Sequence, residues 1–154
     1  MRNKLKFVTL LVAAFSFFTT PAVKAAGCAE TVRALNQHLQ GKIDESELTG
    51  MLAALNASRN ARLPENFVTK REAQQSGWRP GRDLWAVTAL KGKSIGGDRF
   101  GNREGRLPSG SWREADLGYQ GGHRGAKRLL FSKDGLRWVT VDHYQTFIEI
   151  PICR

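Results

Sequence analysis

The sequence predicts an α+β fold, with N-terminal helices packed on one face of a C-terminal antiparallel β-sheet. Three observations carry this expectation. Apolar residues recur at helical spacing only as far as residue 58. From Trp112 onward the chain breaks into short apolar runs of strand length, separated by Gly and Asp turns. Asp134-Gly135 lies between two of those runs and is a pairing that tight hairpins favour. Helices first and strands second is the order of a segregated α+β architecture.

Residues 1–25 stand apart as a predicted signal peptide. Arg2, Lys4 and Lys6 precede the apolar run Phe7 to Phe18, and Val23 and Ala25 place small residues at −3 and −1 of a cut after Ala25. That run is too short to span a membrane. A competing reading is lipid attachment at Cys28, because Ala25-Ala26-Gly27-Cys28 loosely resembles a lipobox; Lys24 and the missing Leu three residues before Cys28 weigh against it.

The remainder, 26–154, reads as one domain: an N-terminal helical segment at 26–62 and a core at 63–154. Cys28 to Leu39 is a predicted helix, with Val32, Leu35 and Leu39 on one face, Arg33, Asn36, Gln37 and Gln40 elsewhere, and Gly41 as its stop. Ile43 to Ser58 is a second, with Asp44 as N-cap and a stripe of Leu48, Met51, Leu52 and Leu55. Thr69-Lys70-Arg71-Glu72 is a capping box that opens a short helix to Gln75, and Trp78 is expected to pack beneath it. Lys70 occupies that helix's first turn, where the dipole disfavours a cation, so it is either tolerated at the surface or kept to meet an anion. Ser94 to Pro108 contains Gly96, Gly97, Gly101 and Gly105 and is predicted as loop. The predicted strands are Trp112 to Leu117, Arg128 to Ser132, Leu136 to Val141 and Thr146 to Ile150.

The net charge is +10, and four basic residues but no acidic ones fall within 1–25, which leaves +6 on 26–154. Such an excess favours polyanionic partners. Cys28 and Cys153 are predicted to pair once exported, a staple over so long a loop that it contributes about 4–5 kcal/mol in the chain-entropy model. No zinc-type His/Cys spacing, P-loop or dinucleotide fingerprint occurs, so neither a metal nor an organic cofactor is expected.

Two groups of residues suggest chemistry. In the glycine-rich stretch, Phe100, Asn102 and Glu104 offer a flat ring, backbone N–H donors and a carboxylate acceptor. That set suits the edge of guanine, which accepts at O6 and donates at N1 and N2; the plain alternative is a surface loop with Phe100 turned into the core. In the strand region, Glu114 shares a face with Trp112 and Asp116. Arg124 and Arg128 flank a Gly-rich turn, and His143 precedes the last strand. A carboxylate, an imidazole and two guanidiniums are sufficient to cleave RNA by acid–base chemistry at the 2′-hydroxyl. Taken singly, Glu114 pairing with Arg113, a capping or core His143 and solvated arginines are the plainer roles.

A resemblance weighs on these alternatives. Leu63-Pro64-Glu65-Asn66, Thr69-Lys70 with Glu72-Ala73-Gln74, Gly77-Trp78, Gly92 to Asp98, Asn102-Arg103-Glu104-Gly105, Trp112 to Asp116 and Asp142 to Phe147 run in the order and near the spacing of one family. From about Leu63 to Ile150 the chain resembles the bacterial guanyl-preferring ribonucleases, the family of barnase and binase. The resemblance implies the microbial ribonuclease fold and a metal-independent reaction through a 2′,3′-cyclic phosphate. It places Glu114 as general base, His143 as general acid, and Lys70, Arg124 and Arg128 as the cations around the phosphate. Gly101, Asn102 and Arg103 fall in the base-recognition loop, whose N–H groups face guanine O6. Glu104 reads guanine N1 and N2, and Phe100 and Tyr144 flank the base. The implied partners are RNA and an acidic, barstar-like inhibitor, with a secreted monomer and no membrane contact after signal removal. The chain departs from the family at Gly101, where a serine is expected, at His123, which replaces an aromatic, and in its longer 26–62 segment and terminal cysteines.

Two rivals remain at the level of sequence. One is a basic RNA-binding module without catalysis, against which the Glu114/His143 pair argues. The other is a protein acting on membranes, which calls for a cationic amphipathic helix that neither predicted helix supplies.

Overall fold

The computed structural model describes residues 26–154; the predicted signal peptide lies outside the described residues. The elements are α1 (Cys28–His38), α2 (Glu45–Ala57), β1 (Phe67–Val68), α3 (Lys70–Gln75), β2 (Ser94–Phe100), β3 (Trp112–Asp116), β4 (Arg128–Ser132), β5 (Arg137–Thr140) and β6 (Ile148–Glu149), with two 3-10 turns at Leu84–Ala86 and Thr88–Leu90. The strands form one sheet in the order β1-β2-β3-β4-β5-β6, parallel between β1 and β2 and antiparallel thereafter. This is the α+β arrangement expected.

The first two helices form where their apolar stripes can be buried. Val32, Leu48, Met51, Leu52 and Leu55 are fully buried against Ala115, Leu129, Phe131 and Val139 of the sheet. The Asp44 side chain accepts from the Glu47 N–H (2.9 Å), as an N-cap should. Asn36, assigned by its polarity to the outer part of α1, is instead buried. Its amide donates to Glu45 (3.0 Å) and its carbonyl oxygen accepts from the Ile43 N–H (3.0 Å), so it fastens the α1–α2 turn. Cys28 and Cys153 are disulfide-bonded, and Asn56 at the end of α2 donates to the Cys153 carbonyl (3.1 Å).

The loop expected over Ser94 to Pro108 is half strand. Ser94 to Phe100 is β2, and irregular chain begins only at Gly101. The glycines that suggested a loop are here for two other reasons. A Cβ on Gly96 would lie 2.6 Å from Phe67 Cδ1 and 2.9 Å from Ala115 Cβ, so two neighbouring strands close onto bare backbone. Gly97 has φ +94° at a register shift, where a bulge bends β2. The strand expected over 146–150 shrinks to two residues because Asp142 captures the chain up to Thr146 in a turn.

A second core of Ala73, Trp78, Leu84, Leu90, Ile95 and Tyr119 seats α3 beside β2, with Trp78 beneath the helix as expected. A third, Leu107, Trp112 and Leu130 with Phe100, Trp138 and Phe147, lies on the sheet face away from α1 and α2.

Candidate active site

The site is built on the second face of the sheet, along one row of β3. Trp112, Glu114 and Asp116 point the same way because strand side chains alternate. Trp112 belongs to the third core, Glu114 stands at its margin, and Asp116 lies opposite Arg128 in the β3–β4 ladder.

Glu114 is buried, with 9% of its side chain exposed, yet both oxygens are engaged. Oε1 accepts from Lys70 Nζ (3.0 Å) and Oε2 from the Tyr144 hydroxyl (2.7 Å). Burial pushes its pKa up, but the Tyr144 and Lys70 hydrogen bonds, with the charges of Lys70 and Arg128, outweigh it and hold the carboxyl below its ordinary value. Burial, reinforced by the same contact and the Glu114 charge, drives the Tyr144 hydroxyl up to about 12, so it stays a donor. The unfavourable position of Lys70 at the start of α3 is thus explained. Its backbone N–H donates to Asp98 (2.9 Å), the Thr69/Glu72 capping box closes the turn, and its ammonium meets the Glu114 carboxylate.

Asp116 gathers the two arginines. It accepts from Arg124 Nε and Nη2, both at 2.6 Å, in a bidentate pair. Arg128 Nε lies 3.0 Å from Asp116 Oδ1 with its N–H aimed off the line between them, so this contact is an ion pair without a hydrogen bond. Arg128 also donates to the carbonyls of Gly125 and Lys127 (2.7 Å each). Neither guanidinium is merely solvated. Burial works against the charge on Arg124, but the hydrogen bond and charge of Asp116 more than offset it.

His143 is exposed and lies with Arg124, Arg128, Arg82 and His123 around a cavity of about 270 Å³. Glu114 opens instead on a cavity of about 560 Å³ bounded by Phe100, Gly101, Asn102, Arg103, Glu104 and Tyr144. Tyr144 links the two, since its hydroxyl is on Glu114, its ring centroid is 5.3 Å from that of His143, and Arg128 sits 5.8 Å over the ring. Both His143 (φ +59°) and Tyr144 (φ +69°) are left-handed, a strain of about 1–3 kcal/mol each. The restraint is Asp142. It accepts from the N–H groups of Gln145 (3.1 Å) and Thr146 (2.9 Å) and the hydroxyls of Thr140 (2.9 Å) and Thr146 (2.6 Å). The Thr146 hydrogen bonds above all depress its pKa to about 2.

The larger cavity is walled by stacked rings, Phe100 on Tyr144 at 5.4 Å and 20°. Phe100 also packs on the third core, as the plain alternative expected of its side chain, although it ends β2 rather than lying in a loop. The Asn102 side chain donates to the Leu107 carbonyl (2.8 Å) and accepts from its N–H (3.0 Å), shaping the loop. Among the described residues, the N–H groups of Asn102, Arg103 and Glu104 have no acceptor. Glu104 is exposed and paired with Arg106 at 2.7 Å. A Cβ on Gly101 would meet Arg103 Cγ at an ordinary 3.5 Å, so glycine is not required there.

The structure therefore brings Lys70, Glu114 and Tyr144 into direct contact, groups Arg124, Arg128 and His143 beside them, and lines the larger cavity with Phe100 at the end of β2 and the loop residues Gly101, Asn102, Arg103 and Glu104. The sequence reading did not assign roles to Asp98, Arg106 and Asp142. Asp142 had a signal, an Asp before a short polar run of the kind that forms Asx turns; Asp98 had none, since its partner is 28 residues away. Among the described residues, no three His, Cys, Asp or Glu side chains cluster as a metal would require.

A ribonuclease family model matches residues 53–151. The chain is 53% identical over 95 residues to a ribonuclease from Heyndrickxia coagulans, covering 60% of this chain and 86% of that protein. It has the same identity over 95 residues with ribonucleases from Bacillus intermedius and Bacillus pumilus, where it spans 58% of each.

Proposed function

The chain belongs to the ribonuclease family, and from that premise we propose that it is a secreted, monomeric endoribonuclease cutting single-stranded RNA 3′ to guanine without metal or cofactor. The Glu114 carboxylate takes the 2′-hydroxyl proton, O2′ attacks the adjacent phosphorus, the P–O5′ bond breaks, and protonated His143 gives O5′ a proton. The product is a 2′,3′-cyclic phosphate. Neutral His143 then takes a proton from water, whose oxygen adds to phosphorus. The P–O2′ bond breaks, and Glu114 returns its proton to O2′. The nucleophile is already tethered, so positioning supplies much of the acceleration. Lys70, Arg124 and Arg128 stabilise charge on the phosphoryl oxygens.

The observation that supports this reading most is the state of Glu114. It is a buried carboxylate held ionised at its two oxygens, with a cation-lined cavity beside it. Guanine is assigned to the larger cavity, its ring against the stacked pair Phe100 and Tyr144 and its edge toward the N–H groups of 102–104 and the Glu104 carboxylate. An acidic, barstar-like inhibitor would be drawn to the same basic cleft.

Residues 26–154 in EDTA with dinucleoside phosphates supply the test. Rapid loss of GpN with cyclic guanylate appearing is expected, and DNA binds without being cut. Salt-sensitive RNA binding with no product at any pH would establish instead a binding module without catalysis. Glu104→Ala is expected to relax base choice more than it weakens cleavage; unchanged preference would discard the role given to the loop.

A further inference from the structure

We infer that Arg106 is a positioning residue that sets base specificity by strapping Glu104 to the turn carrying His143 and Tyr144. The inference rests on the guanine reading of the loop. Glu104 is 72% exposed on a loop tip, and an exposed glutamate left to itself samples many rotamers. Here it is fixed by one arm of a guanidinium, with Arg106 Nε 2.7 Å from Oε2. The other arm reaches across the cavity, where Nη1 donates to the carbonyls of Gln145 (2.6 Å) and Tyr144 (3.4 Å). Tyr144 in turn donates to Glu114. One side chain thereby ties the carboxylate that reads the base to the residue that contacts the catalytic one.

The contact leaves Glu104 able to work. An ionised carboxylate offers about four lone-pair sites, and Arg106 meets it at one oxygen, Oε2, as an ion pair without a hydrogen bond. Two donors from guanine still find acceptors, on an oxygen pair already held in place, and pre-organisation of this kind improves affinity by reducing what must be ordered on binding. Arginine is needed because its planar fork presents donors in two directions from one rigid plane; lysine reaches one partner at a time.

The experiment measures kcat and KM on GpN and ApN for the wild type, Arg106→Ala, Arg106→Lys, Glu104→Gln and the Arg106→Ala/Glu104→Gln pair, with the Kd of 3′-guanylate by calorimetry. Arg106→Ala is expected to raise KM for GpN and the guanylate Kd by about three- to fivefold, the range of an exposed charge pair, with kcat changed less. ApN should lose less than GpN, Arg106→Lys should recover only part, and Arg106→Ala should add nothing to Glu104→Gln. Equal losses on both substrates, full recovery by lysine, additive effects with Glu104→Gln, or tighter guanylate binding would each overturn the strap. A wild type unable to tell GpN from ApN would overturn the guanine reading and the strap with it. A selective wild type with an equally selective Arg106→Ala overturns the strap alone.

Discussion

On β4, Leu129 and Phe131 face the helices while Arg128 faces the cleft, and on β3 Ala115 and Glu114 divide in the same way. The two sides of one sheet thus obey different rules. On the helix-covered side, burial stabilises the fold, because the buried groups are apolar and close-packed. On the cleft side, burial works against the charged groups, and Glu114 and Asp116 are tolerated there only through Lys70, Tyr144, Arg124 and Arg128. The division has exceptions on both sides, since Trp112 and Leu130 form an apolar core on the cleft face. Arg137 is charged yet buried on the helix side, where burial lowers its pKa and the amide oxygens of Asn56 and Asn60 accept its N–H groups. Stability and chemistry are therefore divided by side-chain parity along the same strands, and substitutions can separate them.

The largest separation is expected at the cleft. Glu114→Gln and His143→Ala should each lower kcat/KM by about 10²–10⁴, the range of acid–base catalysis, while far-UV spectra and denaturant midpoints stay near wild type. Unaltered cleavage in both variants would remove the catalytic assignment. The converse is expected behind the helices. Replacing Cys28 and Cys153 together with Ala should cost about 2–5 kcal/mol in denaturant unfolding, because the bond joins residues 125 apart, with kcat/KM of the folded fraction kept. A folded double variant without activity would show that the two faces are not independent.

The same parity explains what the sequence disclosed and what it withheld. Stripes such as Leu48-Leu52-Leu55 and the capping box at Thr69 are local patterns, and both appear where expected. Family strings located Lys70, Glu114 and His143, but not that Lys70 and Tyr144 share one carboxylate, since those contacts span 44 and 30 residues. Gly96 misled because its reason is the approach of Phe67 and Ala115 from other strands. Asn36 misled because polarity was read as exposure, whereas it satisfies the backbone of a neighbouring turn.

The smallest expected effect concerns Asp142, which lies on neither face but fixes the turn that delivers His143. Its folded pKa is about 2 against an ordinary 3.8, so the folded state binds fewer protons than the unfolded one. Its contribution is therefore complete above the unfolded value and fades as pH falls through the folded one. Asp142→Asn preserves the shape and one acceptor oxygen but removes the charge. The melting temperature of the variant should fall below wild type at about pH 6, and that gap should narrow on acidification from about pH 4 toward pH 2. Activity at neutral pH should fall as well, since the left-handed pair His143-Tyr144 loses part of what holds it. A gap that stays constant with pH would mean the turn is held by shape rather than charge, and His143 would then owe its position to the strands on either side.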